Sequence, residues 1–116
     1  MTITLPFPPS VNALFGNRSN QQRFMSKAYK EWLKSCPTIT PGNGCIQEPC
    51  HVEYVLYFPD KRKRDLSNYI KAPEDYLVSQ CALLDDNHEI VQSFSVKFGG
   101  IDRGNPRVEV RIAPII

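Results

Sequence analysis

The sequence predicts an α/β domain, a four-stranded mixed sheet with two helices in the order β-α-β-α-β-β. Three observations carry this. Four segments alternate apolar and polar residues with a period of two, two others repeat apolar residues at helical spacing, and prolines or glycines punctuate the junctions. At 116 residues the chain holds one hydrophobic core and no second one, so residues 1–116 are expected to form a single domain.

Thr2 to Phe7 places Ile3, Leu5 and Phe7 on one side, and the prolines at 6, 8 and 9 forbid further pairing in a central sheet, so a short first strand ends in a rigid turn. Residues 10–25 are polar, Asn-rich and aperiodic, which predicts a long surface loop whose Arg18 and Arg23 are within reach of a ligand. From Ser26, an N-cap, residues Tyr29, Trp32, Leu33 and Cys36 fall at i, i+3, i+4 and i+7 of a helix that Pro37 stops. Residues 37–50 hold three prolines and two glycines, a turn-rich connection.

His51 to Phe58 is the clearest strand, with Val52, Tyr54, Leu56 and Phe58 on one face. Leu66, Ile70, Leu77 and Cys81 describe a second amphipathic helix. Pro73 lies within it and lacks the N–H for an internal hydrogen bond, so this helix is expected to kink or to start late. A polar turn at 85–88 leads to a strand from about Ile90 to Phe98. Gly99, Gly100, Asp102 and Gly104 are read as the next turn, and a last strand carries Val108, Val110 and Ile112 inward.

Hydrophobic residues at 41% and charged residues at 22% are an ordinary soluble composition. The N-terminus lacks the basic and apolar regions of a signal peptide, and no apolar run approaches the roughly 18 residues that span a bilayer. A soluble, cytoplasmic protein with no membrane partner is expected. Cys36, Cys45, Cys50 and Cys81 contain no C-x-x-C pair, so reduced thiols are expected rather than a disulfide framework or a zinc site of Cys45, Cys50 and His51.

The net charge of +2, from 14 Lys and Arg against 12 Asp and Glu, excludes little. Its distribution is informative. Between Pro59 and Lys71 five cations, Lys61, Arg62, Lys63, Arg64 and Lys71, stand against Asp60 and Asp65, so the local excess is larger than that of the whole chain. Asp85 and Asp86 occupy the turn before the third strand. If the second and third strands are neighbours and antiparallel, that turn lies at the same edge as the loop after the second strand, and Asp86 approaches Asp65. Carboxylates beside a cationic rim suit a hard divalent cation that activates water at a phosphodiester whose backbone the cations hold. Separately, each feature is common: a basic turn is a solvated patch, and the aspartates are a helix cap and an Asx-turn.

The segment Arg64-Asp65-Leu66-Ser67-Asn68-Tyr69-Ile70-Lys71, the Leu84-Asp85-Asp86 turn, Pro8-Pro9-Ser10-x-Asn12 near the N-terminus and the overall length together resemble the RusA family of crossover junction endodeoxyribonucleases. The resemblance covers essentially the whole chain and is strongest from Phe58 to Asp86. It implies a RusA-like fold and a Holliday junction resolvase of phage or prophage type. Such an enzyme is a homodimer that makes paired Mg²⁺- or Mn²⁺-dependent nicks in four-way junctions during DNA recombination and repair. The family's essential acidic residues carry over onto Asp65 and Asp86 and its essential lysine onto Lys71. Ser67 departs from the pattern, since well-known members have a second aspartate there.

On this reading Asp65 and Asp86 hold the metal and Lys71 neutralises charge on the phosphate. Lys61, Arg62, Lys63, Arg64 and Asn68 contact DNA. Three accounts of Ser67 stay open: weak or water-mediated ligation, compensation by Asp85 or Glu89, or junction binding with poor cleavage. The last corresponds to an alternative function, a non-catalytic architectural dimer. A further alternative is a small RNA-binding domain in which Asp65 and Asp86 are only caps. The face of Val55 and Tyr57 and the C-terminal residues 113–116 are candidate dimer contacts.

Overall fold

A computed structural model describes residues 1–17, 23–39 and 45–115. Among the described residues six strands and two α-helices follow in order: β1 (Thr2–Pro6), β2 (Phe15–Asn17), β3 (Arg23–Met25), α1 (Lys27–Ser35), β4 (Cys50–Phe58), α2 (Lys71–Ser79), β5 (Val91–Ile101) and β6 (Arg107–Pro114). Single 3₁₀ turns lie at Val11–Ala13 and Leu66–Tyr69. The main sheet has the order β1-β6-β4-β5. It is mixed: β4 pairs parallel with β5 and antiparallel with β6, and β6 pairs antiparallel with β1. The predicted class and element order are therefore observed, with one addition. Residues 10–25, read as loop, contain a small antiparallel hairpin in which Phe15 faces Met25 and Asn17 faces Arg23. Arg18 lies outside the described residues.

One face of the sheet meets the helices. Val52, Tyr54 and Leu56 stand opposite Ile112, Val110 and Val108, with Leu5 beyond them, and all are buried with Tyr29 and Trp32 of α1 and Tyr76 and Leu77 of α2. Trp32 and Tyr54 are buried, and the Trp32 indole donates to the Pro6 carbonyl at 2.9 Å. Ser26 caps α1 as predicted, its hydroxyl accepting the Tyr29 N–H at 3.1 Å. The other sheet face is polar. Glu53 pairs with Arg111 and Lys97, while Arg107 pairs with Glu109 and Asp102 and lies 3.9 Å from the Tyr57 ring centre. Val55 is nonetheless buried within this face.

Three expectations are corrected. The second and third strands of the predicted order, β4 and β5, run parallel rather than antiparallel, because the chain between them carries α2 and a helical crossover joins parallel neighbours. The strand expected to end at Phe98 continues to Ile101. Leu56 faces Phe98 but Tyr57 faces Gly100, so Gly99 is an extra residue in a bulge, and Gly100 takes φ +133°, a conformation that glycine adopts without strain. The expected reduced state fails for two cysteines: Cys45 and Cys81 form a disulfide. The segment around Ile46 runs beside Leu83, with Ile46 N–H bonded to Ala82 O at 3.0 Å and Leu84 N–H to Ile46 O at 3.0 Å, which brings the two Cα atoms to 5.0 Å. Cys36 and Cys50 are free thiols, and burial pushes Cys36 up to about 12.

Pro73 has the predicted effect. The chain makes the 3₁₀ turn at Leu66–Tyr69 and enters α2 only at Lys71, so Pro73 sits in the first turn, where no N–H is needed.

Candidate active site

Two features make up the site, a basic loop leaving β4 and a group of carboxylates around the first turn of α2, linked along the chain by the 3₁₀ turn of Leu66–Tyr69. In the loop, Lys61, Arg62 and Lys63 are exposed. Arg64 is turned inward. Its guanidinium donates to both Asp60 oxygens, at 2.8 and 3.2 Å, and lies 5.5 Å from the centre of the Phe7 ring and 5.3 Å from that of Phe58; its side chain is only 9% exposed. Asp60 also accepts the Arg62 N–H at 2.8 Å. The Arg64 hydrogen bonds, with that of Arg62, hold the Asp60 carboxyl at about 2. Three of the four consecutive cations are therefore presented to solvent, while the fourth fastens the loop.

Asp65 follows directly, at the N-cap position of the 3₁₀ turn. Its main-chain carbonyl accepts the Asn68 N–H at 3.1 Å, but its side chain makes no capping hydrogen bond and is exposed. The reading of Asp65 as a side-chain cap is thereby removed. Ser67 is exposed and Asn68 half-buried on the same turn.

Lys71 opens α2, its ammonium 3.1 Å from Asp75 and 4.0 Å from Asp86. The Asp75 hydrogen bond, with the surrounding carboxylates, raises its pKa, so it stays protonated. Glu74, Asp75 and Asp86 each offer an oxygen within 4.8 Å of the others, and all three are half-buried. Burial, then a hydrogen bond and like charge from Asp86, pushes the Glu74 carboxyl up to about 7. Of the residues expected to bind metal, Asp86 belongs to this group, whereas Asp65 and Ser67 are not members. Asp85 turns into its own loop, where its carboxylate accepts the Asp86 N–H at 2.7 Å and an Asn87 side-chain N–H at 3.1 Å. Glu89 is exposed and outside the group.

Sequence reasoning missed Glu74 and Asp75. The available signal was their spacing: three and four residues after Lys71, both return to the same side of a helix. Asp86 comes from the turn that leads into β5, and it stands beside the first turn of α2, not at the end of a hairpin.

The sequence of residues 6–113 matches the family model described as Endodeoxyribonuclease RusA. This chain belongs to the RusA family. It is 33% identical over 89 residues, covering 73% of this chain and 72% of the relative, to a protein of Shigella sonnei (strain Ss046) named crossover junction endodeoxyribonuclease RusA. The match to the RusA model spans the basic loop, the 3₁₀ turn, α2 and the Asp86 turn. The chain is therefore an endodeoxyribonuclease by family, and the carboxylate group beside a cationic loop is the feature of its structure suited to phosphodiester chemistry. Among the described residues no helix is long and apolar enough to cross a membrane.

Proposed function

We propose that this protein resolves four-way DNA junctions by paired, divalent-metal-dependent phosphodiester cleavage in recombination and repair, as a homodimer acting in the cytoplasm of a bacterial host. The observation that carries the reading is the carboxylate group of Glu74, Asp75 and Asp86, with Lys71 between 3.1 and 4.0 Å from two of its members, in a chain of the RusA family.

The donor set fits a hard cation. Three carboxylates lie together, and burial, with a hydrogen bond and like charge from Asp86, pushes Glu74 up to about 7; Mg²⁺ or Mn²⁺ would offset the mutual repulsion through oxygen ligands. Asp86, Glu74 and Asp75 would hold the ion, with Asp65 contributing from the adjoining turn as the family resemblance implies. When bound, the metal supplies Lewis-acid activation of water and of the phosphoryl oxygen. The remaining work belongs to the chain. Lys71 keeps a positive charge at the rim of the carboxylates, where negative charge grows on the phosphate. Lys61, Arg62 and Lys63 hold neighbouring phosphates and set the register of the backbone. Arg64 acts through Asp60, fixing the loop that leads into Asp65. Glu74 offers the carboxylate that Ser67 lacks, in place of Asp85 or Glu89.

Two coordinated cuts require two equivalent sites, which a two-fold dimer supplies on a substrate of similar symmetry. Incubation with a four-way junction and with linear duplex, each with and without Mg²⁺ or Mn²⁺, tests the reading. Symmetric nicks confined to the junction and dependent on metal are expected; cleavage that persists in EDTA would count against it. The second reading, an architectural dimer that binds junctions without cutting them, is favoured by Ser67 and by the absence of Asp65 from the carboxylate group. Tight junction binding with no nicks under any metal selects it.

A further inference from the structure

Where β4 and β5 end side by side, the surface is hollowed to about 290 Å³. Its lining has two chemistries: Lys61, Arg62 and Lys63 bring charge, and Phe58, Phe98 and Ile101 bring apolar surface. Arg64 and Leu66, the residues on either side of Asp65, also line it, so it lies beside the turn that carries Asp65. In open α/β sheets ligands bind at the carboxyl ends of parallel strands, and this hollow has that position.

Phe98 shares a sheet face with buried Leu56, yet it is 52% exposed, and Ile101 is 43% exposed. The ring is nonetheless held in place: it meets Phe58 in a T-shaped contact with ring centres 5.0 Å apart. A groove that only grips phosphates has no use for exposed aromatic surface, because phosphate and sugar contacts come from cations and hydrogen-bond donors. An aromatic surface beside phosphate-binding cations matches a nucleotide whose base has left its stack.

We propose that the hollow receives one unstacked DNA base at the branch point, seated on Phe98 and Ile101, while Lys61, Arg62 and Lys63 hold the phosphates beside it. This rests on the reading of the protein as a junction nuclease and supplies its selectivity. Extruding a base from continuous duplex is costly, and it is cheapest where pairing is already interrupted. Phosphate contacts alone make no such distinction between a branch point and an ordinary helix.

The test uses the full chain in EDTA, so that no strand is cut, with a four-way junction carrying 2-aminopurine next to the branch point and a linear duplex of matching sequence. Wild type is expected to prefer the junction and to brighten the 2-aminopurine as its base unstacks. Phe98→Ala should lose about 5- to 150-fold in junction affinity, the worth of one base on an aromatic surface, with the brightening abolished and duplex affinity unchanged. Phe98→Tyr should restore both. Ile101→Ala, at the strand end, repeats the comparison with a smaller loss and serves if Phe98→Ala does not fold. Unchanged junction affinity and fluorescence in these variants overturn the pocket while leaving the junction reading intact. A fall from dimer to monomer mass in Phe98→Ala also overturns it, assigning Phe98 to contact between copies of the chain. A wild-type protein with no preference for junction over duplex overturns the functional reading, and the pocket with it.

Discussion

Arg64 grips Asp60 through two hydrogen bonds of 2.8 and 3.2 Å while its guanidinium lies near the rings of Phe7 and Phe58. The pair divides a run of four cations into two kinds. Three have free heads and belong to the surface; the fourth belongs to the fold, and it sets the path of the chain into Asp65.

Salt dependence separates the two kinds. Replacing Lys61, Arg62 or Lys63 with Ala should each lower the slope of log affinity against log salt by about 0.9 if that residue contacts one phosphate. Arg64→Ala should leave the slope unchanged and instead lower the midpoint of urea unfolding. Filter binding at several salt concentrations, with parallel unfolding curves, decides this; a smaller slope for Arg64→Ala at unaltered stability would contradict the division.

The carboxylates carry a different prediction. Asp65→Asn and Asp86→Asn should abolish cleavage and leave junction binding equal or tighter, because each removes a negative charge facing phosphate. Lys71→Ala should cost about 10²- to 10³-fold in kcat, the usual effect of losing one charge-stabilising group. Retained cleavage in both aspartate variants, measured on a labelled junction, would refute the assignment of the site.

Glu74 and Ser67 are expected to be linked. Glu74→Gln should raise the Mg²⁺ concentration for half-maximal cleavage by about tenfold or more, and Ser67→Asp should lower that concentration in wild type and rescue Glu74→Gln. Equal metal requirements in all four proteins would show that neither residue supplies the missing charge.

The same glutamate makes the metal-free protein sensitive to pH. Its carboxyl lies at about 7 in the folded chain against an ordinary value of 4.5, so between these limits the folded state keeps a proton that the unfolded chain has released. Stability therefore falls as pH rises through that window. Unfolding midpoints in EDTA should be lower at pH 8 than at pH 5, and Glu74→Gln should flatten the difference. A wild-type midpoint independent of pH, or an unchanged slope in the variant, would speak against it.

The disulfide joins residues 36 apart in sequence. Restricting a loop of that size in the unfolded chain is worth about 4 kcal/mol at most. Reductant should lower the urea midpoint of wild type and leave Cys45→Ser/Cys81→Ser unaffected; identical curves with and without reductant would show that the bond adds nothing.

Much of the fold was legible because local chemistry and tertiary packing agree. Ser26 caps the helix it precedes, Val52, Tyr54 and Leu56 alternate into the core, and Pro73 delays α2 as its missing N–H requires. The failures have physical causes. Gly99 and Gly100 read as a turn but form a bulge, since composition does not distinguish a glycine that ends a strand from one that bends it. Cys45 and Cys81 lie too far apart in sequence for spacing to reveal their approach. At the site, Asp65, Lys71 and Asp86 stood out as residues, but Glu74 and Asp75 carried no motif of their own inside the predicted helix. Their role emerges only when Asp86 is seen beside them, a long-range approach that no local pattern reveals.

The parallel pairing that places Phe58 beside Ile101 also gives the molecule a variable end. The loop after β4 and the turn at 102–106 after β5 leave the sheet as neighbours, Asp102 N–H bonding Phe58 O at 2.9 Å. The first is fixed by Arg64 and Asp60 and leads into Asp65, but the second carries none of the proposed cutting residues, so lengthening it would reshape the wall around a bound DNA arm and leave them in place. Relatives that prefer different branched substrates are thus expected to differ in this turn, and exchanging it between them is a route to altered substrate choice with the cutting chemistry preserved.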